Sequence, residues 1–258
     1  MHHMSRVPES ALADIQLRMG LTPEQVDTTL QLISLAENGE PQWWKHYNYI
    51  ERLGDGRGYT VTIFGACSGT GDLKLIFDEL AEIAPEHPLL KYRGALAKCR
   101  DENVSGIQGL LKDIPRLGED DAWRKAVWRV YIALYWKFAV AFCTKTKKCE
   151  KRPGPVLTTP LAKGFMVDTA INHGADLGSF TKIVKRMQRA DAVDEAAWLA
   201  DFMEARRKML KSGYEDLDTS RTGDRCKLWS ALLKAHNVTL ARPINAYGGY
   251  WGKFVIGA

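Results

Sequence analysis

Gly54-Asp-Gly-Arg-Gly-Tyr-Thr-Val-Thr-Ile-Phe-Gly-Ala-Cys-Ser-Gly-Thr-Gly-Asp72 is the stretch that departs from the rest of the chain. Glycines at 54, 56, 58, 65, 69 and 71 break helical continuity. The β-branched and aromatic run Tyr59–Phe64 between them favours extended backbone. The pattern predicts a turn, one or two short strands and a glycine-rich loop. On either side, apolar residues recur at three- and four-residue intervals, the period of a helix with one buried face.

Upstream, Thr22 supplies an N-cap, Pro23 a first-turn proline and Glu24 a first-turn acid. Val26, Leu30 and Ile33 then share a face, and Glu37 falls at its end. Downstream, helices are expected over about residues 73–83, 88–99, 122–142, 160–172, 179–189, 194–211 and 222–235, with an aromatic and glycine-rich tail at 247–254. The stripe Trp123, Val127, Tyr131, Leu134, Tyr135, Phe138 and Phe142 predicts a long central core helix. Its most apolar part, Val130–Cys143, is interrupted by Lys137 and falls short of the ~20 residues a bilayer span needs. The fold class is therefore mainly α (α+β), with one small β region.

With 258 residues, 45% hydrophobic and 26% charged, the composition is that of a globular protein of one large domain or one domain of two lobes. Residues 1–21 read as an expression scar (the paired histidines) and an N-terminal extension, and 22–258 as a single domain. The opening MHHMSRVPES lacks the apolar core of a secretory signal. A secreted enzyme without its leader and a cytosolic protein would both begin this way. Five cysteines match no metal-ligand spacing. Cys143 and Cys149 could close a small disulfide loop or remain free thiols.

The formal net charge is +5, but it is unevenly spread. From Glu37 to Glu86 nine acids face four bases, a window of −5 in a remainder of +10. Such a window attracts cations locally whatever the total charge. Two of its acids suit a pair with divided roles. At the end of an apolar helix face, partial desolvation would raise the pKa of Glu37 and let it hold a proton. Asp55 sits on a polar glycine turn beside Arg57, where a guanidinium and exposed amides favour the ionised form. Environments that push two carboxyls apart are the pattern of a general acid and a general base.

Other features have competing readings. The loop Gly65–Gly71 lacks the Lys-Ser/Thr ending of a nucleotide P-loop. The clusters Lys145–Arg152, Lys185–Arg189 and Arg206–Lys211 would suit nucleic acid, but no recognisable nucleic-acid module accompanies them. Trp43 and Trp44 are candidates for stacking on a ligand or for core. His173, near a helix end, is a candidate substrate contact or a structural hydrogen-bonder.

The ordered set Glu37-Asn38, Tyr47, Asp55, Arg57-Gly58, Thr60, Gly65 and Asp72 resembles the signature of the family 46 glycoside hydrolases, the chitosanases. Fainter similarity continues in Asp168-Thr-Ala-Ile-Asn-His173, Phe202-Met-Glu-Ala-Arg206 and Asp218-Thr-Ser-Arg221. The resemblance implies a lysozyme-like fold, with two helical lobes around a substrate cleft. It also implies inverting endo-hydrolysis of β-1,4-linked glucosamine polymers (chitosan) with no cofactor or metal. It assigns Glu37 as general acid, Asp55 as general base and Thr60 as the hydroxyl that helps hold the attacking water. Tyr49, Arg57, Thr70 and Asp72 would line the cleft, with Asp72 facing a glucosamine ammonium. Asp168, Arg206 and Arg221 would form a buried ionic network. A secreted monomer that binds neither nucleic acid nor membrane is implied as well.

The chain departs from the family pattern at Glu215-Asp216-Leu217, at Gly248-Gly249 and Gly252-Lys253, and in the basic loop Lys145–Arg152. Two other functions remain open at this level. One is a lysozyme-like muramidase acting on peptidoglycan, which the acidic window disfavours because bacterial walls are anionic. The other is a non-catalytic polysaccharide- or nucleic-acid-binding protein.

Overall fold

The structure, a computed structural model, describes residues 6–144, 154–212, 219–249 and 251–257, with side chains omitted at 211, 212 and 219–224. The basic loop Lys145–Arg152, Cys149 and the segment Glu215–Asp218 lie outside the described residues. The protein is mainly helical, as the periodicity predicts. The chain divides into two compact units: Met1–Asp14 with Gln42–Ala133, and Ile15–Pro41 with Leu134–Ala258.

The first unit holds the small β region. Strands β1 (Ile50–Arg52), β2 (Tyr59–Val61) and β3 (Ala66–Cys67) form one antiparallel sheet in the order β1-β2-β3. Its register places Glu51 opposite Thr60 and Thr60 opposite Cys67. The loop between β1 and β2 carries Asp55. Helix α3 (Asp72–Ile83) starts directly after the glycine loop, with Asp72 in its first turn complementing the helix dipole.

The short helices α4 (Arg93–Leu96) and α5 (Leu110–Asp113) follow. Where a helix over 88–99 is expected, the chain instead makes a 3-10 turn, Pro88–Tyr92, before α4. Helix α6 (Asp121–Tyr131), capped by the Asp120 side chain, packs on α3. The unit's polar core centres on buried Tyr47. Trp123 Nε1 donates to its carbonyl at 2.9 Å, Trp128 Nε1 donates to its hydroxyl, and that hydroxyl donates to the Arg6 carbonyl.

Glycine is required where loops cross. A Cβ on Gly69 would lie 2.1 Å from the Asp101 carbonyl oxygen. Gly69 N–H donates to Arg57 O at 3.0 Å, and Asp101 N–H donates to Gly69 O at 3.3 Å. The loop at 100–103 therefore braces the turn that carries Asp55, and only glycine permits that approach.

The second unit contains α2 (Pro23–Asn38), α7 (Lys137–Thr144), α8 (Pro160–His173), α9 (Leu177–Val184), α10 (Glu195–Ser212) and α11 (Thr219–Lys234). Thr22 caps α2 in a reciprocal capping box with Gln25, and Gly39 ends it in the left-handed conformation. Phe142, Phe165, Phe180, Trp198, Phe202 and Trp229 form its aromatic core. The expected tail is instead a hairpin, β4 (Ile244–Gly248) paired with β5 (Gly252–Ile256). Ile244 and Ala246 face inward and Asn245 and Tyr247 outward, the two-residue alternation of a half-buried strand.

Two other expectations change. The segment read as an extension contains helix α1 (Glu9–Met19), whose Ala11, Ile15 and Met19 are buried. The long core helix does run through Asp121–Thr144, but Ile132–Trp136 is a π-helical turn. The wider turn rotates the buried face, so Trp136 and Ala139 are buried while Leu134, Tyr135 and Phe138 are only half-buried. By length and composition this helix could cross a bilayer, yet 56% of its most apolar window is buried inside the protein.

Gly69→Ala should lower stability by about 1–3 kcal/mol, since the new methyl meets backbone rather than a movable side chain. Gly94→Ala, in α4 with open space around it, should leave the melting temperature unchanged or slightly raised. Thermal melts of the two variants check the contrast; equal melting temperatures would show that the 69/101 crossing is not tight.

Candidate active site

The two candidate catalytic carboxylates belong to different units. In the first unit, Asp55 lies on the exposed turn between β1 and β2. Arg57 Nε donates to Asp55 Oδ2 at 2.9 Å, Arg57 Nη2 reaches the same oxygen, and the Arg57 backbone N–H donates to Oδ1 at 3.2 Å. These bonds, the guanidinium ones first, hold the Asp55 carboxyl below the usual carboxylate range, in the direction its sequence context predicts.

Thr60 is buried on β2 with its Oγ1 3.7 Å from Cys67 Sγ, and that thiol donates to the Gly65 carbonyl at 3.2 Å. Tyr49 donates its hydroxyl to Glu51 Oε2 at 2.6 Å, and its pKa is pushed up to about 12, by burial first and then by this carboxylate. Thr70 Oγ1 donates to Asp72 Oδ2 at 2.9 Å. The first unit thus brings together Tyr49, Asp55, Arg57, Thr60, Thr70 and Asp72 around the sheet and its glycine loops.

Part of the acidic window is already neutralised. Asp78 pairs with Lys74 and Arg93, and Glu79 pairs with Arg129. Glu51 and Asp72 have no cationic partner within 4 Å among the described residues. They leave negative charge in the first unit open to a cationic ligand.

In the second unit, Glu37 stands in the last turn of α2. Its setting differs from the expected apolar junction. The side chain is 39% exposed, and Oε1 accepts a hydrogen bond from Arg225 Nη1 on α11. Arg225 is almost fully buried and also binds Asp168: its Nε donates to Oδ1 at 2.7 Å. The other oxygen of Asp168 pairs with Arg206 Nη1 at 2.5 Å, and Arg206 Nη2 donates to Asn172 Oδ1 at 3.2 Å. Asp168 and Arg206 are both fully buried. Burial alone would raise the Asp168 pKa, but the two guanidiniums outweigh it and hold the carboxyl below the usual range.

Asp168 and Arg206 therefore sit in a buried network, as the resemblance implies. Arg221 lies outside the described side chains; among those described, the network's second guanidinium is Arg225, which sequence reasoning missed. The two arginines are four residues apart on α11 and so share a helix face, a spacing that gives no basis for choosing between them.

Trp43 is core, in edge contact with Trp128, whereas Trp44 is half-buried under the Arg6 guanidinium at 3.9 Å. His173 ends α8 with Nε2 buried and unpaired. Cys67, Cys99, Cys143 and Cys226 are buried free thiols among the described residues, while Cys149, the other half of the expected loop, lies outside them. Among the described residues, no group of three or more His, Cys, Asp or Glu is placed to hold a metal.

Residues 31–244 match the family model for glycosyl hydrolase family 46. A chitosanase of Bacillus subtilis (strain 168) is 30% identical, the alignment covering 92% of this chain and 87% of that one. A chitosanase of Streptomyces sp. (strain N174) is 29% identical over 86% of this chain and 78% of its own length. Among solved structures, the native chitosanase of Bacillus subtilis MY002 superposes with a TM-score of 0.74 at 28% identity, covering 92% of this chain and 100% of that one. The family 46 chitosanase of Gynuella sunshinyii, in complex with chitotetraose, gives a TM-score of 0.74 at 26% identity, covering 92% and 99%. The chain belongs to glycosyl hydrolase family 46 and is a glycoside hydrolase.

Burial, followed by the Arg206 and Arg225 charges, lowers the His173 pKa from 6.5 to about 4. The unfolded chain therefore binds a proton at this residue between about pH 6.5 and 4 while the folded chain does not, so stability falls as pH drops through that window. His173→Gln should flatten this part of the stability–pH curve, measured by urea melts at pH 7 and pH 5. An unchanged slope would place the titrating group elsewhere.

Proposed function

We propose that this protein is an endo-acting chitosanase that cleaves β-1,4-linked glucosamine polymers with inversion, using Glu37 as general acid and Asp55 as general base. The observation that carries the reading is the placement of both carboxylates inside a chain matched to a glycoside hydrolase family over residues 31–244. Asp55 stands on an exposed turn and is kept ionised by Arg57.

In this mechanism Arg225 holds Oε1 of Glu37. Oε2 is then the oxygen that carries the proton to the departing glycosidic oxygen. Asp55 takes a proton from water as that water attacks the anomeric carbon from the opposite face. The Thr60 hydroxyl, on the strand beside the turn, accepts the water's second hydrogen. Inversion requires carboxyls about 6.5–9.5 Å apart, enough to seat that water.

Substrate selection follows from charge. The carboxylates of Glu51 and Asp72, with no cationic partner within 4 Å among the described residues, attract the ammonium groups of a glucosamine chain, with Asp72 held by Thr70 for that contact. Tyr49 and Arg57 in the first unit and His173 in the second are read as further substrate contacts. These exposed charges are screened by salt, so binding weakens as ionic strength rises. The relatives named above as chitosanases, and the Gynuella sunshinyii complex with chitotetraose, support the substrate class. A polymer of this kind lies outside the cell, which supports secretion, and a single chain carrying both carboxylates supports action as a monomer.

Glu37→Gln and Asp55→Asn should each lower kcat on chitosan by at least about 10²-fold with little change in melting temperature. A reducing-end assay together with a thermal melt reads both. Activity within a few-fold of wild type in either variant would remove that residue from its role.

A further inference from the structure

We infer that Glu102 is a positioning residue for the general base: its carboxylate fixes the turn carrying Asp55 through the backbone N–H of Gly56. The inference rests on the reading of Asp55 as that base.

The far end of the turn is tied down, by the Gly69 N–H bond to Arg57 O and by the close approach of Ser68 and Asp101 to Gly58, but the tip at 54–56 is not. Gly54 and Gly56 both adopt positive φ, at 71° and 86°, and a Cβ built on either would meet nothing within 4 Å. A segment so flexible and so poorly packed cannot keep a carboxylate in place by contact alone. The bonds between Arg57 and Asp55 lie within the turn, so they shape it without anchoring it.

The anchor beside Asp55 comes from outside. Glu102 Oε1 accepts the Gly56 N–H at 2.7 Å, a charge-assisted bond. Its other oxygen, Oε2, is gripped by Arg52, from Nε at 3.2 Å and from Nη2 at 3.0 Å. Arg52 ends β1 and pairs with Tyr59 of β2, so it stands at the base of the loop whose tip carries Asp55. Glu102 therefore bridges the foot of this hairpin to its turn. Its own loop is located by the Asp101–Gly69 crossing, which makes the brace part of the fold rather than a swinging side chain. The Gly56 amide and then Arg52 hold the Glu102 carboxyl below its usual range, so it remains an acceptor through the neutral and mildly acidic range.

The competing account is a surface ion pair of no consequence, since the Arg52 and Glu102 side chains are 52% and 40% exposed. The two accounts differ in kinetics. A positioning role places the cost in kcat, because slight misplacement of a reacting group can slow chemistry by up to about 10²-fold. Glu102→Ala should therefore lower kcat on chitosan about ten-fold, with KM within about two-fold and the melting temperature nearly unchanged. Glu102→Gln, whose amide oxygen still accepts from Gly56, should recover most of that loss. Arg52→Ala should cost less than Glu102→Ala and add nothing to it in the double variant.

Asp55→Asn serves as the control. If it is inactive while Glu102→Ala keeps kcat within two-fold of wild type, or alters KM alone, the positioning role is wrong. If Asp55→Asn stays active, the reading of the base fails instead.

Discussion

Asp168 has no access to solvent, and two guanidiniums, from Arg206 and Arg225, bind its two oxygens. The second unit depends on that arrangement. The network joins α8, α10 and α11, and through Arg225 it reaches Glu37 in the last turn of α2. Among the described residues two carboxylates balance two guanidiniums, which makes their burial tolerable. Removing a fully buried member, Asp168 or Arg206, would strand an uncompensated charge, at a cost of about 3–5 kcal/mol. Glu37 is thus the solvent-facing end of a buried ionic chain, and its position is set by groups that never meet solvent.

The first unit solves its problem differently. Asp55 is on a glycine turn with almost no packing, positioned by hydrogen bonds rather than by a core. Arg57 keeps it ionised, and Glu102 and the Asp101–Gly69 crossing fix the loop from outside. One carboxylate is held by a buried network and the other by a surface brace.

Much of this was legible in the residues. The Thr22 cap, the glycine-broken β region and the long core helix follow from local chemistry, so periodicity and turn residues reveal them. The lowered pKa of Asp55 was legible too, because its partner is only two residues away. What escaped was long-range. Arg225 is 188 residues from Glu37, and no local pattern says that it turns inward to meet that carboxylate. For the same reason the surroundings of Glu37 were misjudged: periodicity identifies a helix face, not the group that will meet it. Glu102 belongs to no motif, being one acid in a short loop. The terminal hairpin was hidden because its alternation is carried by small residues, Ala246 and Gly248, where apolar side chains would have signalled it.

The central claim is that Glu37 and Asp55 act as an inverting pair on chitosan. Proton NMR of the first products, recorded before mutarotation, tests it most directly. The account predicts that the α-anomer of the new reducing end accumulates first. Initial release of the β-anomer would contradict it, because retention requires a carboxylate acting as nucleophile rather than a base activating water.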